Sequence, residues 1–123
     1  MAETLRYVGN FRELGYEHHR DAPSIEEARG KRPPAHKAEV LAYLRGAKTI
    51  TFSPGLNEDY FDRTQWVKGE TMRTDGVYTW PDHLADYVER YDVALPAAFE
   101  QHMEARGWRL PEGLDVRTLK TPW

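Results

Sequence analysis

The chain has 123 residues, 40% of them hydrophobic and 30% charged, and this composition predicts one soluble globular domain over residues 1–123. Its 17 basic and 20 acidic side chains give a net charge of -3, which argues against nucleic-acid binding, because phosphate contacts usually require a basic excess. There is no cysteine, so disulfides, thiol catalysis and thiolate metal sites are excluded.

The beginning of the chain, MAETLRYVGN, lacks the apolar segment of a secretory signal. No run in the sequence approaches the ~20 apolar residues that cross a bilayer. Together with the absence of cysteine, which suits a reducing compartment, these features predict a cytoplasmic protein without a membrane partner.

The first third of the chain is predicted to contain an ordered arm, a polar segment and a helix. Six apolar residues within 5–16 indicate an arm that docks on the domain. Ser24 and Glu27 have the S-x-x-E spacing of a capping box and predict a short helical turn. A helix is then expected from Pro34 to Gly46. One face of this helix contains Lys37, Val40, Leu41 and Leu44.

The central segment is predicted to supply strands. Residues 47–53 alternate in polarity, so Ile50 and Phe52 are expected to face the core from one strand. Residues 56–65 are acidic and are expected to form a loop or a short helix. Apolar residues within 65–74 favour a second strand.

The strongest local signals follow this second strand. Asp75-Gly76 predicts a two-residue hairpin turn. Two helices are expected at 81–91 and 96–106, because a proline begins each and apolar residues recur at helical spacing. The predicted fold class is α+β, with a small antiparallel sheet of about three strands, about three covering helices and extended terminal arms. The apolar helix faces contain Leu84, Tyr87, Val88, Tyr91, Phe99 and Met103.

Histidine is the side chain most suited to proton transfer near neutral pH, and the chain has five. The adjacent His18 and His19 diverge in an extended chain, so a solvated loop is favoured over a metal site, and no metal is expected. His83, at the start of a helix, is expected to be exposed. For His102, on an apolar helix face, two interpretations stay open: a hydrogen-bonded histidine at the core edge, which is favoured, and a proton-transfer residue.

Several familiar motifs are missing. The sequence has no G-x-S-x-G, phosphate-binding loop or G-x-G-x-x-G, which argues against hydrolase, nucleotide and dinucleotide functions, and no cofactor is expected. The acidic cluster of Glu58, Asp59 and Asp62 lacks calcium-loop spacing and predicts a solvated loop. Asp75 is accounted for by its turn, so no functional role is assigned to it.

Aromatic residues make up 12% of the chain, more than one small core is expected to hold. The surplus predicts an interface, either a homodimer or a peptide-binding groove. The apolar tail that follows Gly107 is expected to dock, for example on a partner subunit. The aromatic residues without an assigned place are Tyr60, Phe61, Trp66, Trp108 and Trp123.

Two segments, YVGNFRELGY (residues 7–16) and TDGVYTWPDHLADYVERYDVALPAAFEQHMEARGW (residues 74–108), resemble a family of small actinobacterial proteins. This family includes the lysinoalanine-forming proteins of cinnamycin- and duramycin-type lantibiotic pathways. The likeness covers about a third of the chain. It implies an aza-Michael addition, in which a lysine amine of a modified precursor peptide attacks a dehydroalanine of the same peptide. Alignment of the two groups is worth ~7–11 kcal/mol in such intramolecular reactions.

Candidate site residues follow from side-chain chemistry. Arg73 is predicted to hold a substrate carboxylate, because a guanidinium binds one bidentately, and His102 to transfer protons. Alternative roles stay open: Phe11 and Trp80 as core residues, and Arg73 as a strand residue. The alternative function is a non-enzymatic binding module, such as an adaptor or immunity-type protein. The predicted substrate-binding residues are Asn10, Phe11, Arg12, Tyr78 and Trp80.

Overall fold

The computed structural model describes residues 3–14 and 22–123, and these form an α+β fold, which confirms the predicted class. His18, His19 and the end of the predicted arm lie outside the described residues. The helices are α1 (Ile25–Ala28), α2 (Lys37–Gly46), α3 (His83–Tyr91) and α4 (Ala97–Ala105), with short 3-10 turns at Arg12–Leu14 and Val116–Thr118. The strands are β1 (Arg6–Tyr7), β2 (Lys48–Thr51), β3 (Leu56–Glu58), β4 (Trp66–Lys68), β5 (Met72–Thr74) and β6 (Tyr78–Pro81).

The main sheet has the strand order β1-β6-β5-β2. Strands β2, β5 and β6 are antiparallel, as the sequence predicted. The N-terminal arm adds β1 as a parallel edge strand, with Arg6 opposite Tyr78 and Tyr7 opposite Thr79. The arm therefore belongs to the sheet and lies beside the hairpin formed by β5 and β6.

A second sheet contains β3 and β4 alone. The prediction of a loop or short helix within 56–65 is therefore wrong for its first three residues, and the single strand expected within 65–74 is two strands. Gly69 lies in the break between these two strands. A Cβ atom at this position would lie 2.9 Å from the carbonyl oxygen of Gly55, so only glycine permits the close approach.

Strand β2 does not present the residues that its alternation predicted. The pairing of β2 with β5 shifts register between Thr49 and Thr51, so Ile50 is an extra residue in a bulge. Phe52 lies beyond the strand end and is 76% exposed. The expectation that Ile50 and Phe52 face the core is wrong for Phe52, and Ile50 is only half-buried.

Helices α3 and α4 confirm the predicted helices to within two residues at each end. Leu84, Tyr87 and Val88 of α3 are buried, as are Phe99 and Met103 of α4, and all belong to one core. Helix periodicity located this core correctly. None of the helices within 3–14 and 22–123 is long and apolar enough to span a membrane.

The C-terminal tail packs on its own chain. The amide of Leu5 donates to the carbonyl of Lys120 at 2.8 Å, and Nζ of Lys48 donates to the carbonyl of Leu114 at 2.6 Å. The rings of Tyr7 and Trp123 meet edge to face at 5.9 Å. A partner subunit is therefore not needed to hold the tail.

Candidate functional site

The hairpin turn between β5 and β6 begins at a buried aspartate. Thr74 pairs with Thr79 and the amide of Asp75 donates to the carbonyl of Tyr78, so the two central turn residues are Gly76 and Val77. The predicted turn at Asp75-Gly76 is thus wrong by one position. Gly76 has a φ of +94°, which glycine adopts without strain at the first central position.

The Asp75 carboxylate is fully buried and accepts hydrogen bonds on both oxygens. Oδ1 accepts the amides of Val77 at 2.9 Å and Tyr78 at 2.7 Å, which explains the aspartate at the first turn position. Oδ2 accepts the Tyr43 hydroxyl at 2.5 Å and lies 3.0 Å from Nε2 of His102. The carboxylate therefore joins the turn to α2 and α4.

The bond to Asp75 fixes the tautomer of His102. A carboxylate only accepts hydrogen bonds, so Nε2 of His102 carries the proton and Nδ1 of the neutral ring has a lone pair. No partner for Nδ1 is found among the residues that the structure describes, and the side chain is 20% exposed. In this arrangement Nδ1 of His102 can accept a proton, and the Asp75 carboxylate stabilises the imidazolium that forms, as in other carboxylate–histidine pairs.

Three further side chains surround this pair. The ring of Tyr78 lies 5.0 Å from that of His102, and the Arg6 guanidinium lies 5.8 Å from the Tyr78 ring. Arg106, one turn after His102, donates to the Asp75 carbonyl at 3.1 Å. Burial and the bond to Asp75 raise the pKa of the Tyr43 hydroxyl, so it stays a donor. We call Arg6, Tyr43, Asp75, Tyr78, His102 and Arg106 the hairpin-turn cluster.

Three predicted substrate-binding residues, Asn10, Phe11 and Arg12, line a second feature, a cavity of about 540 Å³ beside the arm, which we call the arm cavity. Its opposite wall comes from α1 and the turn before α4, including Leu95. Phe11 is only 3% exposed and belongs to the core, which was its alternative role. Arg12 is exposed at the rim.

The remaining predicted site residues lie elsewhere or inside the core. Nε of Arg73 donates to Asp82 at 2.8 Å, and Nη1 donates to the carbonyl of Ala47 at 2.7 Å. Two nitrogens of this guanidinium therefore already donate hydrogen bonds within the fold. Trp80 is fully buried and donates from Nε1 to the carbonyl of Leu44 at 3.0 Å. The seven predicted residues therefore do not converge on one site: Tyr78 and His102 meet, and residues 10–12 line the arm cavity.

Two expectations of exposure are wrong. His83 is 2% exposed, and its ring packs edge to face on Tyr87 at 5.8 Å. Asp59 is fully buried and accepts from Arg90 at 3.0 Å and from the Tyr91 hydroxyl at 2.7 Å. These long-range partners remove the need for solvent at the Asp59 carboxylate.

The sequence interpretation missed Asp75, Tyr43 and Arg106 as site residues, although it identified His102 and Tyr78. The turn signal explained Asp75 locally, and its bonds to Tyr43 and His102 join residues far apart in the chain. One available signal was the one-turn spacing of His102 and Arg106, which places both on the same side of α4.

No match was found for this chain among family models, curated proteins or solved structures.

Proposed function

We propose that the protein binds a compact modified precursor peptide and closes a lysinoalanine cross-link in it. The observation that carries the proposal is the Asp75–His102 pair, in which a fully buried carboxylate orients a partly exposed imidazole. Residues 7–16 and 74–108 resemble a family of small actinobacterial proteins that includes lysinoalanine-forming members, and this resemblance supports the same reaction. Both segments contribute residues to the hairpin-turn cluster or the arm cavity.

The proposed reaction joins a lysine Nζ to the β-carbon of a dehydroalanine. The amine lone pair forms the new C–N bond, and the π electrons of the alkene move to the α-carbon and its carbonyl. Nδ1 of His102 accepts the proton that the nitrogen releases, and the imidazolium returns a proton, directly or through water, to the α-carbon, so the product has the same composition as the substrate. A general base of this kind contributes typically ~10²–10⁴-fold.

Peptide positioning is proposed to use the arm. Arg6 lies beside Tyr78, and Asn10 lines the arm cavity four residues later, so the backbones of these two residues are at most ~14 Å apart. A compact peptide is long enough to contact both. Arg12 replaces Arg73 as the proposed partner of a substrate carboxylate, because Arg73 is bound to Asp82 and Ala47.

The second candidate is a non-enzymatic peptide-binding module. The observation that favours it is the arm cavity, whose size and apolar residues, such as Val8 and Leu95, suit a peptide side chain without any chemistry. Binding of the peptide without closure would identify this function.

The test is incubation with a dehydrated, thioether-bridged precursor. Closure conserves mass, so it is read as loss of the alkene's ability to add a thiol. We expect His102→Gln to slow closure, and His36→Asn to leave it unchanged, because His36 stacks on Trp108 at 4.9 Å and takes no part in the cluster. Equal rates in the parent and His102→Gln would remove His102 as the base. Failure of the parent to bind the precursor would overturn the proposal.

The proposal places this reaction in the cytoplasm and in a homodimer. The C-terminal tail packs on its own chain and so does not support a dimer. The dimer is supported instead by three large apolar side chains that are exposed, those of Phe52, Leu56 and Trp66. Light scattering at high micromolar concentration should return twice the chain mass of 14.3 kDa. A mass of one chain would contradict the dimer.

A further inference from the structure

Strand β3 of the second sheet has a free edge. In an antiparallel pair of strands, directly opposite residues alternate between pairs that exchange two backbone hydrogen bonds and pairs that exchange none. The amide of Lys68 donates to Oδ2 of Asp86 at 2.8 Å and not to β3, so Leu56 and Lys68 form a pair without backbone bonds. The amide and carbonyl of Leu56 therefore point away from β4.

The same alternation places the backbone groups of Glu58 on the free edge. Asn57, the residue between Leu56 and Glu58, makes the backbone bonds to β4. Beyond Glu58, the amide of Asp59 donates to the carbonyl of Gln65 at 3.0 Å, as the next hydrogen-bonded pair requires. In the part of the chain that the structure describes, the backbone groups of Leu56 and Glu58 have no partner. An unpaired strand edge of this kind is a template for another strand.

The face of the second sheet beside this edge is exposed and partly apolar. Side chains two residues apart in a strand share a face, and so do directly paired residues. The exposed face therefore contains the side chains of Leu56, Glu58, Trp66 and Lys68. Leu56 is 61% exposed and Trp66 is 55% exposed, and the two lie diagonally across the sheet. The Glu58 carboxylate lies 3.2 Å from Nη1 of Arg63, so its charge is compensated.

A second copy of this chain fits the free edge. When β3 of two copies pairs antiparallel about Asn57, Leu56 of each copy lies opposite Glu58 of the partner subunit. Both residues direct their backbone groups outward, so each of these pairs exchanges two hydrogen bonds. The arrangement has two-fold symmetry, and it satisfies every outward backbone group of Leu56 and Glu58 in both copies.

The same pairing joins the apolar side chains of the two copies. Leu56 of one copy becomes the diagonal neighbour of Leu56 of the partner subunit, within reach of a long side chain. Each Leu56 already has Trp66 as a diagonal neighbour in its own chain. Leu56 and Trp66 of the two copies then form one continuous apolar row, so pairing covers apolar surface that a single chain exposes.

We propose that the protein forms a two-fold symmetric dimer through the free edge of β3, in which the second sheets of two copies make one four-stranded sheet. This inference rests on the homodimer of the proposed function, and it names the surface and the strand register of that dimer. Because β3 has only three residues, the contact is small and the dimer is weak, so it forms at high micromolar concentration.

Amide hydrogen exchange of the unmodified full chain tests the free edge directly. Raising the protein concentration from low to high micromolar should slow exchange at the amides of Leu56 and Glu58 by about three- to tenfold, since each gains a hydrogen bond. The amide of Asn57, which is already bonded to β4, should change less. Equal changes at the three amides, or no change at Leu56 and Glu58, would overturn the proposal.

Single cysteine variants supply a second test, because the chain has no cysteine and a disulfide then forms only between copies. Asn57 lies on the symmetry axis, where its Cα atoms in the two copies are ~4.5 Å apart, a distance that a disulfide spans. Lys68 is the matched control, since three strand spacings, ~14 Å in all, separate the β4 strands of the two copies. Under mild oxidation at high micromolar concentration, Asn57→Cys should form a disulfide dimer at least about tenfold faster than Lys68→Cys.

The outcomes separate this surface from the other proposals. Equal rates of cross-linking, or a faster rate for Lys68→Cys, would overturn this surface and leave a dimer that forms elsewhere. A mass of one chain at high micromolar concentration would overturn both the surface and the dimer. Neither measurement uses the precursor peptide or His102, so failure here leaves the proposed closure to its own test.

Discussion

The hydroxyl of Tyr43 donates to the same carboxylate oxygen of Asp75 that faces His102. This oxygen therefore has one donor from α2 and one from α4, and the turn before β6 is bound to both helices. The Tyr43 ring also lies 6.0 Å from the ring of Trp80, so the hydroxyl and the ring have separable roles.

Replacing Tyr43 by Phe should test the hydroxyl alone. The ring packing is kept, but the buried Asp75 carboxylate loses a donor, so we expect a loss of ~1–3 kcal/mol in the free energy of unfolding, measured in urea. Tyr60→Phe is the matched control, because its hydroxyl binds the exposed Glu26, and its effect should be much smaller. Equal effects of the two variants would show that the Tyr43–Asp75 bond adds no stability.

Phe99→Ala should be among the most destabilising core changes. Phe99 is fully buried, and its ring lies 4.7 Å from Tyr78 and 5.3 Å from Trp80. Deletion of such a side chain typically costs ~3–5 kcal/mol. Phe52→Ala removes the same atoms from a side chain that is 76% exposed and should change stability little. The prediction fails if both variants unfold at the same urea concentration.

Helix periodicity was enough to predict α3, α4 and the burial of Phe99, because the pattern arises from contacts one turn apart. It was not enough for Phe52, whose position depends on a bulge that forms only when β2 pairs with β5. His83 is buried at the start of α3, where the sequence pattern predicted an exposed side chain. Local sequence patterns therefore predicted the helices and the fold class. The exposure of Phe52 and the burial of His83 depend on contacts between residues far apart in the chain, which these patterns do not report.

In the candidate site, too, local sequence signals were sufficient for some residues and long-range contacts decided the others. His102 was identified because it lies on an apolar helix face, and its favoured interpretation as a hydrogen-bonded histidine at the core edge fits the structure. Asp75, its partner, is 27 residues away, and spacing carries no information about such a contact. Arg73 was chosen for its chemistry, but the bonds to Asp82 and Ala47 depend on where the chain places them.

The arginine substitutions should separate binding from stability. Arg12 is exposed at the rim of the arm cavity, so Arg12→Ala is expected to weaken binding of the modified peptide by about tenfold with little change in stability. Arg73→Ala removes bonds within the fold and should lower the urea midpoint instead. Titration calorimetry and urea unfolding of both variants check this. The reverse pattern would restore Arg73 as the carboxylate-binding residue.

Acid should destabilise the protein partly through His83. Burial lowers its pKa, although Glu70, Asp86 and Asp82 act in the opposite direction. The unfolded chain therefore binds a proton near pH ~6.5 before the folded one does, so this stability is present above that pH and is lost as the pH falls toward the folded-state pKa. Between about pH 7.5 and 5.5, the parent should lose more stability than His83→Gln, by up to ~1.4 kcal/mol. Identical losses in urea would show that His83 titrates normally.

The last prediction concerns the rate of closure. The attacking lysine must lose a proton from a pKa near ~10.4, so the single-turnover rate should rise with pH in the parent. His102→Gln should slow closure by at most ~10²–10⁴-fold, and the loss should shrink at high pH, where hydroxide accepts the proton that the attacking nitrogen releases. A merely structural role for His102 would lower the rate by the same factor at every pH. The pH profiles of the two proteins, measured with the same dehydrated precursor, therefore distinguish a proton acceptor from a residue that only holds the turn in place.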